Sequence, residues 1–220
     1  MSKYLRDIQI YSSYSDDEHI NSLPLTTNFL EILYLDSLPK VETYGVPKVT
    51  IKPCERLAKS RLDVVLRNPE ILQLSKPFNF DAYWKSDKET RKQIALDFLQ
   101  EGLLQVAKIR GWDAKPFREA YKTVLAKKFV NYRPWSKAVI SPDRKYKAQV
   151  WCNYDSDRAE IFVVIFHHRE VHTKTLAAVV QPGDVWIREV DGKLEWISQN
   201  EVKLVSRDGK KSWKVKIERP

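Results

Sequence analysis

Glycine is scarce in this chain, with six residues in 220, and no two of them lie closer than nine positions. The P-loop and the GxGxxG turn both need closely spaced glycines, because the backbone amides must come close to a phosphate. The sequence therefore excludes nucleotide binding of these two kinds. The GxSxG motif of hydrolases and the HExxH motif of zinc proteases are absent as well.

Cysteine is almost as rare, with Cys54 and Cys152 far apart in the sequence. There is no CxxC motif and no Cys/His spacing that suits zinc. A disulfide between the two cysteines stays open from the sequence, whereas a reducing compartment favours two buried thiols.

Long apolar segments are missing too, since no run approaches the roughly 18–20 residues that span a bilayer. Near the N-terminus, Lys3, Arg6 and Asp7 interrupt any signal-peptide core. We therefore expect a cytoplasmic protein without a membrane partner.

Positive charge, in contrast, is abundant: 38 Lys and Arg face 29 Asp and Glu, a formal net charge of +9. The excess is localised, because residues 81–150 carry sixteen basic and eight acidic side chains, while the segments on either side are nearly balanced. Such a concentration indicates either an acidic partner or a contribution to solubility.

The sequence pattern changes near residue 80. It predicts a strand-rich N-terminal region over residues 1–80 and a region with two helices and an antiparallel sheet over residues 81–220, unless both form one continuous domain. Frequent prolines in the first region argue against long helices and favour short or edge strands. The strand-like segments include "YLRDIQIYSSY", "NFLEILYL", "VPKVTIKP", "LDVVLRN" and "EILQLSKPF".

Two helices are predicted next. Ser86 and Glu89 can form a capping box at the start of a helix that Gly111 ends. Asp113 can cap a second helix, which runs to about Val130.

From residue 145 onward the alternating pattern predicts an antiparallel β-meander, with turns at Pro182-Gly183, Asp191-Gly192 and Asp208-Gly209. A two-residue turn at Asp191-Gly192 would place Arg188 opposite Glu195. Strands, two central helices and a C-terminal antiparallel sheet together indicate an α+β fold.

The basic residues suggest a binding surface within residues 108–147. On the second helix, three of them follow i, i+3, i+7 spacing, and on the strand near residue 150 two lysines share a mostly polar face with a tryptophan. Tryptophan among cations suits a protein interface or the stacking of bases beside phosphates. The candidate partner-binding residues are Lys115, Arg118, Lys122, Lys145, Lys147 and Trp151.

Three of the four histidines lie in "FVVIFHHREVHTKTL", residues 162–176. A hairpin tip at Arg169-Glu170 would set His167 opposite His172, and a three-residue tip would set His168 there instead. Either pair is a weak candidate for a metal site, since a metal needs further ligands and a solvated turn explains the same residues. We therefore expect no cofactor.

Two acidic groups are weaker candidates still. Asp16, Asp17, Glu18 and His19 could bind a hard cation but lack EF-hand spacing. Asp184, Asp191 and Lys193 faintly imitate the acidic residues and DxK motif of nucleases, but a tight turn explains Asp191 equally well. No catalytic residue is assigned from either group.

Two segments, "SPDRKYKAQVWCNYDSDRAEIFVVIF" and "LEWISQNEVKLVSRDGKKSWKV", resemble the strand-rich, tryptophan-containing ends of immunity proteins of bacterial polymorphic toxin systems. The resemblance covers about a third of the chain. It implies a role in neutralising a toxin. Many such proteins are acidic and cover basic nucleases, whereas this chain is basic, so its toxin should present an acidic face.

The leading hypothesis is a non-catalytic cytoplasmic binding protein that masks an acidic protein partner, for which a toxin is the candidate. The alternative is a nucleic-acid-binding protein that uses the basic 108–147 surface. A third hypothesis is a metal-dependent hydrolase that uses the histidine hairpin.

Overall fold

The computed structural model describes residues 3–12, 18–67 and 70–218 of the chain. The fold is mixed α+β, with 31% helix and 37% strand, and its described part contains five helices and three sheets. The described residues up to Val130 form one compact unit, and those from Asn131 onward form a second. This division differs from the one expected near residue 80. None of the helices in the described ranges has the length and apolarity that a membrane crossing requires.

The first unit is built on a four-stranded sheet with the order β1-β2-β4-β3. β1, β2 and β4 run parallel, and β3 is the antiparallel edge strand. The parallel strands are rich in Val, Ile and Leu, and their inward side chains are buried. The four strands are β1 (Asp7–Ile10), β2 (Lys48–Cys54), β3 (Arg61–Arg67) and β4 (Glu70–Pro77).

Four helices complete this unit. α1 and α3 pack against strands of the sheet, and α4 packs against both of them. Tyr34 of α1 donates a hydrogen bond to the Phe117 carbonyl oxygen of α4, at 2.9 Å, which ties these two helices together. The helices are α1 (Glu18–Ser37), α2 (Phe80–Lys85), α3 (Lys88–Arg110) and α4 (Lys115–Ala126).

The first helix contradicts the expectation that prolines exclude long helices from the N-terminal region. α1 has 20 residues, contains Pro24, and includes the segment "NFLEILYL" that we expected to be a strand. Its buried side chains Leu23, Thr27, Leu30 and Tyr34 follow the i, i+4, i+7, i+11 spacing of one helical face. The helix forms because burial of this face outweighs the cost of one proline.

The expected ends of α3 and α4 need small corrections. Asp87 rather than Ser86 caps α3, because its carboxylate accepts hydrogen bonds from the amides of Glu89 and Thr90. Gly111 ends α3 in the left-handed region, as expected. The N-cap of α4 is Ala114 rather than Asp113, so the helix starts at Lys115. It ends at Ala126, four residues before the expected end at Val130.

The main sheet of the second unit has the order β5-β7-β8-β9, with β6 also paired to β7. All of its pairs are antiparallel, as predicted for β7, β8 and β9, whereas β5 and β6 precede the predicted meander. β9 is an edge strand with two β-bulges, which leave His172 and Ala177 without partners in β8. The strands are β5 (Tyr132–Pro134), β6 (Val139–Ile140), β7 (Tyr146–Tyr154), β8 (Ala159–His167) and β9 (Glu170–Val180).

A helix, α5 (Asp184–Val190), leads into a three-stranded sheet of β10 (Lys193–Trp196), β11 (Glu201–Val205) and β12 (Ser212–Lys216). The predicted hairpin at Asp191-Gly192 is therefore wrong, because the residues before it are helical. Ile187 and Val190, three positions apart, are the buried side chains of α5, and this is the spacing of a helix face. The turn at Asp208-Gly209 is confirmed between β11 and β12.

Candidate binding surface

The six predicted partner-binding residues are divided between the two units. In the first unit, Lys115, Arg118 and Lys122 are exposed on α4, where Lys115 lies 3.9 Å from Glu119. In the second unit, the other three residues lie at or next to β7. They are Lys145 (exposed, in the turn before the strand), Lys147 (exposed) and Trp151 (half-buried).

Trp151 lies on the second face of the five-stranded sheet, opposite the face that forms the core. The residues of β7 alternate between the two faces, and every second side chain from Tyr146 to Tyr154 is buried. Cross-strand partners share a face, so the register places Phe162 and Pro134 beside Trp151. We call this side the aromatic face, after its four aromatic side chains Tyr132, Trp151, Phe162 and Phe166.

The four rings come from three adjacent strands and pack against one another. The ring centroids of Tyr132 and Trp151 are 4.9 Å apart, and those of Tyr132 and Phe162 are 6.0 Å apart with an edge-to-face angle of 81°. Phe166 lies 6.1 Å from Trp151. These separations are those of favourable aromatic pairs, so the cluster is preorganised. Burial among these groups raises the pKa of Tyr132.

A lysine lies across this cluster. The ammonium nitrogen of Lys174 in β9 is 4.3 Å from the ring centroid of Tyr132 and 4.1 Å from that of Phe162. Both distances are well inside the roughly 6 Å range of a cation–π interaction. The two rings therefore fix a positive charge on the aromatic face, while the ammonium keeps hydrogen-bond donors that point away from the rings.

The indole of Trp151 is held by polar neighbours. Its Nε1–H donates to the side-chain oxygen of Gln149 at 3.3 Å. The side-chain amide nitrogen of Gln149 donates in turn to the Ser136 carbonyl oxygen at 2.9 Å. The Ser136 hydroxyl accepts from the Val150 amide at 3.2 Å. This chain of hydrogen bonds fixes the orientation of the tryptophan from the strand beneath it.

Aliphatic side chains surround the rings on the same face. Ile140, Val171, Leu176 and Val179 pair with residues of that face, and each of the four is more than half exposed. Single exposed aliphatic residues are ordinary on a protein surface, but several of them on one sheet face around packed rings are typical of an interaction site.

The charge of the aromatic face is positive. Lys147 and Lys174 lie on it, and Glu160 is the one acidic side chain among the described residues whose pairing places them on this face. Glu160 is already engaged, because it accepts from the Asn153 amide at 3.0 Å and pairs with Arg158 at 3.1 Å.

Sequence reasoning found Trp151 and Lys147 on this face but missed Tyr132, Phe162, Phe166 and Lys174. The sequence also indicated a mostly polar face around Trp151, whereas the side chains that the neighbouring strands contribute to this face are mostly apolar. The segment "IFVVIF" in β8 carries apolar residues at both parities, and this is the signal for a strand with two apolar faces.

The histidine hairpin differs from both expected registers. The tip is His168-Arg169, His167 pairs with Glu170, and His172 lies in a bulge. The difference arises because His168 adopts a left-handed conformation, with φ of 54°, so the turn closes one residue earlier than expected.

The imidazoles gather around a tyrosine. The ring of Tyr146 stacks on His167 with a centroid separation of 4.8 Å and lies 5.3 Å from the ring of His172. One nitrogen of His172 is also 3.1 Å from the Glu218 carbonyl oxygen. Across residues 3–12, 18–67 and 70–218, no group of three His, Cys, Asp or Glu side chains has an arrangement that could hold a metal. The hairpin therefore carries no metal proposal.

The remaining acidic candidates gain no support. Asp16 and Asp17 lie outside the described residues, and so do the side chains of Glu18, His19 and Asp184. Asp191 follows α5, where burial raises its pKa, and Lys193 pairs with Glu195 at 2.6 Å.

Both cysteines are free thiols, with Cys152 buried and Cys54 half-buried.

Comparisons with known proteins add no assignment, since no family model, no curated protein and no solved structure matches this chain.

Proposed function

We propose that the protein is a non-catalytic binding protein that docks an acidic protein partner on the aromatic face. The observation that carries the proposal is the set of exposed aliphatic side chains around four packed rings on one side of the sheet. Interfaces of specific complexes are enriched in such aromatic anchors, which exclude water from the centre of the contact.

A protein partner fits this face better than nucleic acid does. Proteins that bind single strands leave the flat faces of aromatic rings open for stacking on bases. Here the rings pack on one another, and Lys174 covers the faces of Tyr132 and Phe162. The aliphatic border formed by Ile140 and Leu176 would contact phosphates poorly, but it suits an apolar protein surface.

Charge sets the expected chemistry of the partner. The chain carries a net charge of +9, and the acidic side chain of the face, Glu160, is already paired. Lys147 and Lys174 therefore favour acidic residues at the border of the partner's apolar patch, which would speed association and fix its orientation. A toxin that this protein neutralises is the candidate for such a partner, in keeping with the resemblance to immunity proteins.

Replacement of Leu176 by Asp should strongly weaken partner binding. Leu176 is exposed beside the ring of Phe162, so an aspartate is tolerated in the free protein but would lie unpaired in an apolar interface. We expect at least a ~30-fold loss of affinity, the scale of one interface hot spot. The measurement is capture by the immobilised full-length chain from nuclease-treated lysate of its native host, followed by titration of the captured partner.

Val65→Asp is the matched control, since Val65 is a similarly exposed aliphatic residue of the first unit. The proposal requires that the wild-type chain and the Val65→Asp variant bind the same acidic protein equally well and that the Leu176→Asp variant binds it at least ~30-fold more weakly. Equal binding by all three proteins, or capture of no acidic protein by the wild-type chain, would contradict it.

A further inference from the structure

A concave site lies in the second unit, and none of the residues that line it belongs to the aromatic face. This cleft, the α5 cleft, is bordered by α5, the end of β9 and the turn between β11 and β12, and its volume is about 600 Å³. Clefts of roughly 300–1,000 Å³ suit small molecules. Its size therefore admits a ligand of one or two rings.

Two tryptophans form the apolar part of the α5 cleft. Trp186 of α5 remains 41% exposed, and Trp213 of β12 is half-buried. Val180 and Val190 also line it. Large aromatic side chains that remain accessible in a concave site offer a planar apolar surface to a ligand, at little cost in conformational entropy.

The walls of the α5 cleft are held in place by hydrogen bonds. The Arg207 amide donates to the Glu189 carbonyl oxygen at 2.8 Å, which joins the turn to α5. Within the turn, the Ser206 hydroxyl donates to Asp208 at 2.6 Å and accepts from the Lys211 amide at 2.9 Å. The α5 cleft is thus preformed, so a ligand need not order it.

The charged side chains of the α5 cleft are two cations, Arg207 and Lys211, and two carboxylates, Glu189 and Asp208. Arg207 and Lys211 are exposed in its lining and have no ion-pair partner among residues 3–12, 18–67 and 70–218. Asp208 is ionised, because the hydrogen bond from Ser206 holds the pKa of its carboxyl below the usual value, and its charge faces the Lys210 ammonium at 4.0 Å. With Asp208 balanced by Lys210, Arg207 and Lys211 face one other carboxylate of the lining, Glu189.

We propose that the α5 cleft binds a small carboxylate with a flat apolar body, such as an aromatic acid. The rings of Trp186 and Trp213 would contact the apolar body, while Arg207 and Lys211 hold the carboxylate, with the guanidinium able to form two parallel hydrogen bonds. This site is independent of the partner-binding proposal.

The test is a titration of the ¹⁵N-labelled full-length chain with 2-naphthoate, followed through the indole N–H signals of its seven tryptophans. We expect saturable shifts of the Trp186 and Trp213 signals, with a Kd of about 1 mM for a probe of this size. The neutral analogue 2-naphthylmethanol should bind at least ~5-fold more weakly, because it makes no charge-assisted hydrogen bond.

Arg207→Gln/Lys211→Gln should remove the preference for the carboxylate while leaving the spectrum of the free protein in place. Lys214→Gln/Lys216→Gln removes the same charge from exposed positions outside the cleft and should leave the preference unchanged. Three results would overturn the proposal: equal binding of both probes to the wild type, equal effects of the two double variants, or first shifts at Trp151. None of them bears on partner capture.

Discussion

Gly192→Ala is expected to destabilise the three-stranded sheet by about 3 kcal/mol or more, at the upper end of the range for overpacking. A Cβ atom at this position would lie 2.2 Å from the Val205 carbonyl oxygen and 2.6 Å from both the Arg207 amide nitrogen and the Ser206 carbonyl carbon. All three are backbone atoms of β11 or of the turn after it. They cannot move aside without breaking the pairing of β10 with β11.

Gly209→Ala is the matched control for this prediction. Gly209 has a φ of +73°, but a Cβ atom there would meet nothing within 4 Å, so the cost should be only the roughly 1 kcal/mol of a left-handed alanine. Hydrogen exchange of the amides of β10, β11 and β12 measures both variants. Similar losses of protection in the two variants would show that the close approach at Gly192 is not the cause.

A fall in the stability of the first unit between about pH 5 and pH 8 is the second large effect that we expect. Glu31 of α1 is buried, and desolvation raises the pKa of its carboxyl from 4.5 to about 8, against the opposing hydrogen bonds from the Ile10 amide and the Thr27 hydroxyl. The folded protein thus keeps a proton that the unfolded chain releases near pH 4.5. The stabilising effect is complete below pH 4.5 and is lost as the pH rises to about 8.

The size of this loss is on the order of 5 kcal/mol, since each pKa unit corresponds to about 1.4 kcal/mol. Glu31→Gln should remove most of the pH dependence, because the amide oxygen can accept from Ile10 and carries no charge at any pH. Hydrogen exchange of β1 and β2 amides, corrected for intrinsic rates, gives the measurement at each pH. Glu55→Gln, at an exposed turn position, should leave the slope unchanged. A wild-type slope equal to that of Glu31→Gln would refute this account.

The elements that sequence reasoning predicted well are those with strong local signals. α3 combines a broad apolar face with Gly111 at its end, signals that act within a few residues, although its cap is Asp87 and not the expected Ser86. α1 was missed because two positions of its buried face hold polar residues, Thr27 and Glu31, which interrupt the apolar stripe. Without a clear apolar stripe, Pro24 argued against a helix, although burial of this face in the folded protein stabilises one.

The candidate site was harder to predict because it depends on strand register. The alternation in β7 placed Trp151 and Lys147 on one face from local sequence alone. Tyr132 and Lys174 are 42 positions apart in the sequence, and they meet only because β7 and β8 lie between their strands. No local pattern states which strands are neighbours, so the aromatic cluster could not be assembled from the sequence.

The two bulges of β9 protect the free edge of the five-stranded sheet from strand addition. A regular edge offers a continuous row of unpaired amides and carbonyls, on which another chain can polymerise into fibrils. The bulges at His172 and Ala177 interrupt that row, and the opposite edge consists of strands of three and two residues. The protein can therefore expose apolar side chains on the aromatic face while resisting edge-to-edge aggregation.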